Sequence, residues 1–126
     1  MTALADTSLF IAREQRRPLA SAPPDDIAVS VVTVAELRLG VLVATDLERR
    51  ASRLATLSVA EQLAPLPIDD AVAASWARLV AALRAAGRRM PVNDSWIAAT
   101  ALAHDMAVVT QDDDYQDVPG LRVLRV

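Results

Sequence analysis

The stretch Thr2-Ala3-Leu4-Ala5-Asp6-Thr7-Ser8-Leu9-Phe10-Ile11-Ala12 is the part of the chain from which the fold can be read. A short apolar run, Thr2 to Ala5, meets the polar trio Asp6-Thr7-Ser8 and then a second apolar segment, the pattern of a strand, a capping turn and a helix. That helix should stop before Pro18, and residues 18–26, with Pro23-Pro24 and Asp25-Asp26, form the clearest loop. Ile27 to Val32 is a β-branched run of strand length, followed by Thr33 and a strongly helical stretch from Val34 to about Ala44. A second helix from Asp46 to about Ala60 completes a helical hairpin. Leu63 to Ile68 contains Pro65 and Pro67, so a strand there must be very brief or lie at an edge. Asp69 starts the longest helix, which ends before Gly87, and a further helix runs from Asn93-Asp94 to about His104. Ala107 to Thr110 and Leu121 to Leu124 read as the last strands, with a polar turn between them. Strands separated by helices in this order predict a three-layer α/β/α fold around a central parallel sheet of four to five strands.

Composition narrows the function. At 126 residues the chain has the length of a single domain, 1–126. Acidic side chains number 16 against 13 basic ones, a formal charge of −3, so no broad cationic face awaits a polynucleotide. Every basic residue is Arg. Without Lys, Schiff-base chemistry and the phosphate lysine of a P-loop are excluded, and three isolated glycines cannot build a dinucleotide cradle. With no Cys and a single His, His104, there is no disulfide framework, thiolate nucleophile or Cys/His zinc site. The chain shows no signal-like leader and no apolar run long enough to span a bilayer, which gives the expectation of a soluble cytoplasmic protein. Hydrophobic residues make up 53% of the chain and aromatics 3%, so the core must be built from Ala, Val and Leu. Phe10, Trp76, Trp96 and Tyr115 are too few for a base-stacking RNA-binding sheet.

In a parallel sheet, ligand chemistry gathers at the carboxyl ends of the strands. Asp6, Glu36, Asp94, Asp112 and Asp114 all follow predicted strands or open the helices at that edge. Like charges so gathered repel unless a cation neutralises them, and hard divalent ions with oxygen ligands, Mg²⁺ or Mn²⁺, suit this role better than Zn²⁺. Each residue also has a purely structural reading. Asp6, Asp94 and Asp112 suit N-cap or turn positions, and Thr33-Val34-Ala35-Glu36 fits a capping box. Asp69-Asp70 occupies an equivalent place and is assigned to capping. His104 reads as a surface residue near a helix end, the Arg49-Arg50-Arg53 and Arg88-Arg89 clusters as solvated faces, and Trp76 and Trp96 as core.

The order of Asp6-Thr7-Ser8, Thr33-Val34-Ala35-Glu36-Leu37, Asn93-Asp94-Ser95-Trp96-Ile97-Ala98-Ala99-Thr100-Ala101 and Val109-Thr110-Gln111-Asp112-Asp113-Asp114-Tyr115 resembles the PIN domain, specifically the VapC toxins of bacterial toxin–antitoxin pairs. The resemblance covers essentially the whole chain. It implies that Asp6, Glu36, Asp94 and Asp112 hold the family's four acidic positions and Asp114 its frequent additional one. It also implies divalent-metal-dependent endonucleolytic cleavage of RNA, often structured RNA such as tRNA or rRNA, with inhibition by a cognate VapB-like antitoxin and a homodimeric toxin. Many relatives carry Asn where this chain has Asp112, with a spacing one residue longer to the next acid, which leaves open how Asp112, Asp113 and Asp114 divide their roles.

A phosphodiester fits this set of residues, because a metal can polarise the phosphorus and acidify a water without any protein nucleophile. On this reading Asp6, Asp94, Asp112 and Asp114 bind the metal. Glu36 orients or deprotonates the attacking water, while Thr110, Ser8 or Ser95 donate hydrogen bonds to the site. The hairpin from Thr33 to Ala60 is rich enough in Leu, Val and Ala to suggest a groove for an antitoxin helix beside its ordinary core role. The rival readings are a phospho-accepting receiver domain, which lacks its Lys here, an inert PIN scaffold that only binds protein or RNA, and a DNA-directed PIN nuclease. Setting the five site carboxylates aside leaves arginines in excess over the remaining acids, so the weak net acidity does not exclude RNA.

Overall fold

The computed structural model describes residues 2–126. Strand β1 (Thr2–Ala5) is followed by α1 (Thr7–Glu14), β2 (Asp26–Val29), α2 (Val31–Val43) and α3 (Leu47–Glu61), then α4 (Asp70–Ala85), α5 (Val92–Ala103), β3 (Ala107–Thr110) and β4 (Val123–Arg125). The four strands form one parallel sheet in the order β2-β1-β3-β4. The expected Leu63–Ile68 strand reduces to a single parallel bridge between Ser30 and Leu66.

The two central strands are apolar on both faces, as a sheet covered on both sides requires. Leu4 and Val108 are fully buried on one side, against Leu79 and Leu83 of α4 and Ile97, Ala98 and Ala101 of α5. Their neighbours along each strand point the other way. Ala5 joins Phe10, Val34, Leu37, Leu57 and Ala60 of α1, α2 and α3, while Ala3, Ala107 and Val109 form a cluster with Val126. The side-chain period of two thus produces the three-layer α/β/α arrangement, and small residues on β1 let the helices come close.

Three boundaries differ from the sequence reading for identifiable reasons. Strand β2 stops at Val29, because the Ser30 hydroxyl accepts a hydrogen bond from Val32 N at 3.0 Å and starts α2 three residues before Thr33. Thr33 is therefore inside the helix, and the capping box with Glu36 does not form. Helix α5 begins at Val92, which leaves Asp94 in its first turn with no capping bond from the preceding Pro91. The last strand is Val123–Arg125, displaced from the expected Leu121–Leu124. Elsewhere the signals hold. Asp46 and Asp69 cap α3 and α4 through Arg49 N and Val72 N, and Gly87 takes φ +69° just beyond α4, where the turn needs a left-handed residue.

This strand order has a functional consequence. From β1 the chain moves to β2 on one side, then returns to place β3 on the other side of β1. The crevice outside the carboxyl ends of β1 and β3 is a topological switch point, where open α/β sheets bind ligands.

Candidate active site

Asp6 leaves β1 directly at that crevice and is 2% exposed. A buried carboxylate is costly unless its lone pairs are filled, and here four donors fill them. Thr7 N (2.7 Å) and the Tyr115 hydroxyl (3.0 Å) reach Oδ1, while Ser8 Oγ (2.9 Å) and Thr110 Oγ1 (2.8 Å) reach Oδ2. These donors come from both central strand ends: Thr7 and Ser8 open α1, Thr110 ends β3 and Tyr115 lies in the following loop. Asp6 does act as the N-cap of α1, so its capping reading is realised by the same side chain that faces the crevice.

The Tyr115 hydroxyl joins the first carboxylate to a second. It lies 3.3 Å from Asp94 Oδ1 as well as 3.0 Å from Asp6 Oδ1, and the residue is completely buried. Beside this link the remaining acids form two close pairs. Asp112 is within hydrogen-bond reach of Asp6, and Asp114 within reach of Asp94. Four carboxylates from β1, α5 and the loop after β3 thus meet at one edge of the sheet.

Their electrostatics record the crowding. Burial, contact with Asp114 and the charge of Asp6 push Asp94 up to about 7, although the Tyr115 hydroxyl works in the opposite direction. The Asp112 carboxyl is raised by partial burial and by Asp6 and Asp114, with Arg17 opposing. Burial and the adjacent Asp6 and Asp94 push the Tyr115 phenol upward, so it stays a donor at neutral pH. Paired carboxylates need a shared proton or a cation between them. An all-oxygen set of this kind suits a hard divalent ion that keeps several waters. Among the described residues, no three Asp, Glu or His side chains already close into a metal cage.

Glu36 is one link away. Its Oε1 accepts from Thr7 Oγ1 at 2.7 Å, and Thr7 Oγ1 also lies 3.0 Å from Thr33 Oγ1. The residue immediately after Asp6 thus holds Glu36, half-buried on α2, at the same edge. Asp113 is not part of the cluster. It turns outward to Arg125, with 2.5 Å between Arg125 Nη1 and Asp113 Oδ1, so the flanking Asp112 and Asp114 face the cleft while the middle residue faces away. Ser8 and Thr110 donate to the site as expected, but Ser95 does not. It gives its proton to Val92 O and accepts from Trp76 Nε1. Trp76 and Trp96 stack with centroids 4.5 Å apart and remain only half-buried.

Sequence reasoning assigned no role to Tyr115, Thr7 or Arg17. Tyr115 carried a signal that could have found it: the chain's one tyrosine, immediately after Asp114, in a chain with almost no aromatics.

The PIN domain family matches residues 3–121. Ribonuclease VapC4 of Mycobacterium tuberculosis is 52% identical over 129 aligned residues, covering 98% of this chain and 96% of that protein. Ribonuclease VapC5 of the same organism is 48% identical over 125, covering 96% and 93%. Among solved structures, the toxin–antitoxin complex VapBC-5 from Mycobacterium tuberculosis superimposes with a TM-score of 0.89 at 45% identity, covering 99% of this chain and 98% of the matched one. FitAcB from Neisseria gonorrhoeae gives 0.76 at 30% identity, covering 98% and 96%. With its buried Asp6 at the switch point and this degree of likeness along its length, the chain belongs to the PIN-domain family and, within it, to the VapC ribonucleases.

Proposed function

We propose that this chain is the toxin of a type II toxin–antitoxin pair, a divalent-metal-dependent endoribonuclease that cuts structured RNA such as tRNA or rRNA and is silenced by a VapB-like antitoxin. The observation that carries the reading is the pairing of Asp6 with Asp112 and of Asp94 with Asp114 around one tyrosine hydroxyl. Such a cluster needs a shared proton or a cation, and its all-oxygen donors suit a hard divalent one.

Asp6 and Asp94 would be the main ligands of Mg²⁺ or Mn²⁺, directly or through water, with Asp112 and Asp114 completing the site. The ion, when bound, supplies charge for the phosphodiester oxygens and the leaving oxygen and acidifies a water. The four hydrogen bonds on Asp6 fix its carboxylate, so little reorganisation is needed when substrate arrives. Glu36, steadied by Thr7, orients the attacking water and accepts its proton. Arg17, beside Asp112, offers a cation to a phosphate flanking the scissile bond.

The partner reading rests on exposed apolar side chains. Leu39, Leu42 and Val43 of α2 and Leu47 and Leu54 of α3 are between 53% and 83% exposed. A hairpin with this much uncovered apolar surface is suited to an antitoxin helix or to a second copy of the chain, and the similar VapBC-5 belongs to a toxin–antitoxin system. Light scattering should give a dimer alone and a larger species with antitoxin. A monomer under both conditions would count against the assembly.

For the activity, the test is cleavage of a structured RNA with Mg²⁺ or Mn²⁺, with and without EDTA, using Asp6→Asn as control. The Ser8 and Thr110 hydroxyls can rotate to accept from the new amide, so the variant should fold and fail to cut. Metal-independent cleavage, or full activity in Asp6→Asn, would sink the assignment.

A further inference from the structure

We propose that Arg88 and Arg125, neither of which touches the carboxylate cluster, act as a two-sided clamp on the loop after β3, and so set how tightly the cleft holds a divalent cation. This rests on the metal reading above. The loop from Gln111 to Asp117 contains four Asp in seven residues and no regular secondary structure. Left alone, such a segment repels itself and the cleft it borders. It nevertheless has to present Asp112, Asp114 and Tyr115 to Asp6 and Asp94.

Arg125 holds the start of the loop. The parallel register places it beside Thr110, the last residue of β3. From there its guanidinium donates to Gln111 O from Nε (3.3 Å) and Nη2 (3.2 Å) and pairs with Asp113 through Nη1 at 2.5 Å. With Gln111 O fixed and Asp113 drawn outward, Asp112 and Asp114 lie on the inner side, against Asp6 and Asp94. Arg88 holds the end of the loop. It follows the left-handed Gly87, and its amide closes the α4 terminus by donating to Leu83 O at 2.8 Å. This geometry directs its side chain across to the loop, where it donates to Gln116 O at 2.9 Å and to Asp117 O. Asp117 has φ +59°, in the left-handed region that Asp tolerates better than most non-glycine residues, and the chain turns sharply there. The two arginines thus fix both ends of the segment that carries Tyr115 and two of the site acids.

The clamp and simple electrostatics predict opposite signs. Removing a positive charge near an acidic cleft should tighten binding of a cation, whereas releasing the loop should weaken it. The experiment uses Arg88→Met, Arg125→Met and the double variant, which keep most of the apolar stem, with Arg38→Met, which removes an exposed ion pair to Glu61 and no contact to the loop, as control. Amide hydrogen exchange is measured on the metal-free full chain, and Mn²⁺ is titrated both for binding and for RNA cleavage. In the double variant the amides of Asp112 and Gln116 should exchange at least about tenfold faster while those of β1 and α5 are unchanged. Half-saturating Mn²⁺ should rise about 10- to 100-fold, the size of effect seen when groups that orient metal ligands are lost, while the cleavage rate at saturating Mn²⁺ changes little. Unchanged loop exchange, or Mn²⁺ binding that is equal or tighter, overturns the proposal. A wild-type chain that binds no Mn²⁺ overturns the metal reading instead, and the exchange data still decide whether the arginines hold the loop.

Discussion

Replacing Tyr115 by Phe tests the centre of the site without altering its shape. The ring is completely buried against Leu4, Val108 and the helices of one face, and that packing is retained. What is lost is one proton shared between Asp6 Oδ1 at 3.0 Å and Asp94 Oδ1 at 3.3 Å. A hydrogen bond to a charged group contributes roughly 1.5–3 kcal/mol. Asp6 keeps Thr7 N, Ser8 Oγ and Thr110 Oγ1, so no acceptor is orphaned and no further penalty is expected. For a domain of this size the loss corresponds to a melting temperature lower by about 5–10 °C. Because Asp94 is held protonated up to about 7, the part of the loss that comes from its bond should be greater at pH 8.5 than at pH 5. Thermal unfolding in EDTA at the two pH values measures both quantities. A variant that melts with wild type at both values would refute the bridging role. So would a loss of more than about 4 kcal/mol, which would mean that the ring's packing had been disturbed.

Three further outcomes follow from the same geometry. Glu36→Gln keeps an acceptor for Thr7 Oγ1 but cannot take a proton, so the cleavage rate should fall about 10²- to 10⁴-fold with Mn²⁺ affinity nearly unchanged; wild-type rates would remove Glu36 from the mechanism. The folded pKa of Asp94, about 7, lies above its ordinary 3.8, so its proton stabilises the fold fully below about pH 4 and that contribution is lost as pH rises toward 7. Urea titrations in EDTA should show stability declining across this window, with Mn²⁺ reversing the decline; a flat profile would contradict the crowding. Asp94→Asn removes this titration, so its stability should vary less with pH than wild type's while its RNA cleavage is lost.

Much of this was legible in the sequence, because strand-length apolar runs followed by a capping residue encode both the sheet and its functional edge. Thr2–Ala5 and Ala107–Thr110 are strands at the expected residues, and Asp6 lies where a strand end meets a helix start. The resemblance drawn from four motifs in order is matched by the family assignment. What the sequence could not supply was competition between equivalent caps. Ser30 and Thr33 are both good N-caps, and the pairing of Val31 N with Leu66 O, a contact between residues far apart in the chain, decides for Ser30. The pairing inside Asp112-Asp113-Asp114 was illegible for a similar reason, since it depends on Arg125 arriving from β4 to turn Asp113 outward. Tyr115 was read only as a scarce aromatic, because its link between Asp6 and Asp94 exists only once three separate segments have met.

The central claim is that the carboxylates at the ends of β1 and β3 and in α5 form one metal-dependent catalytic site. Its most direct test is to follow Mn²⁺ occupancy and cleavage of a structured RNA in the same titration, with wild type and Asp6→Asn side by side. The account predicts that occupancy and cleavage rise together in wild type, that EDTA abolishes both, and that Asp6→Asn loses both while staying folded. Cleavage that proceeds with the site empty, or an Asp6→Asn chain that cuts RNA at the wild-type rate, would contradict it.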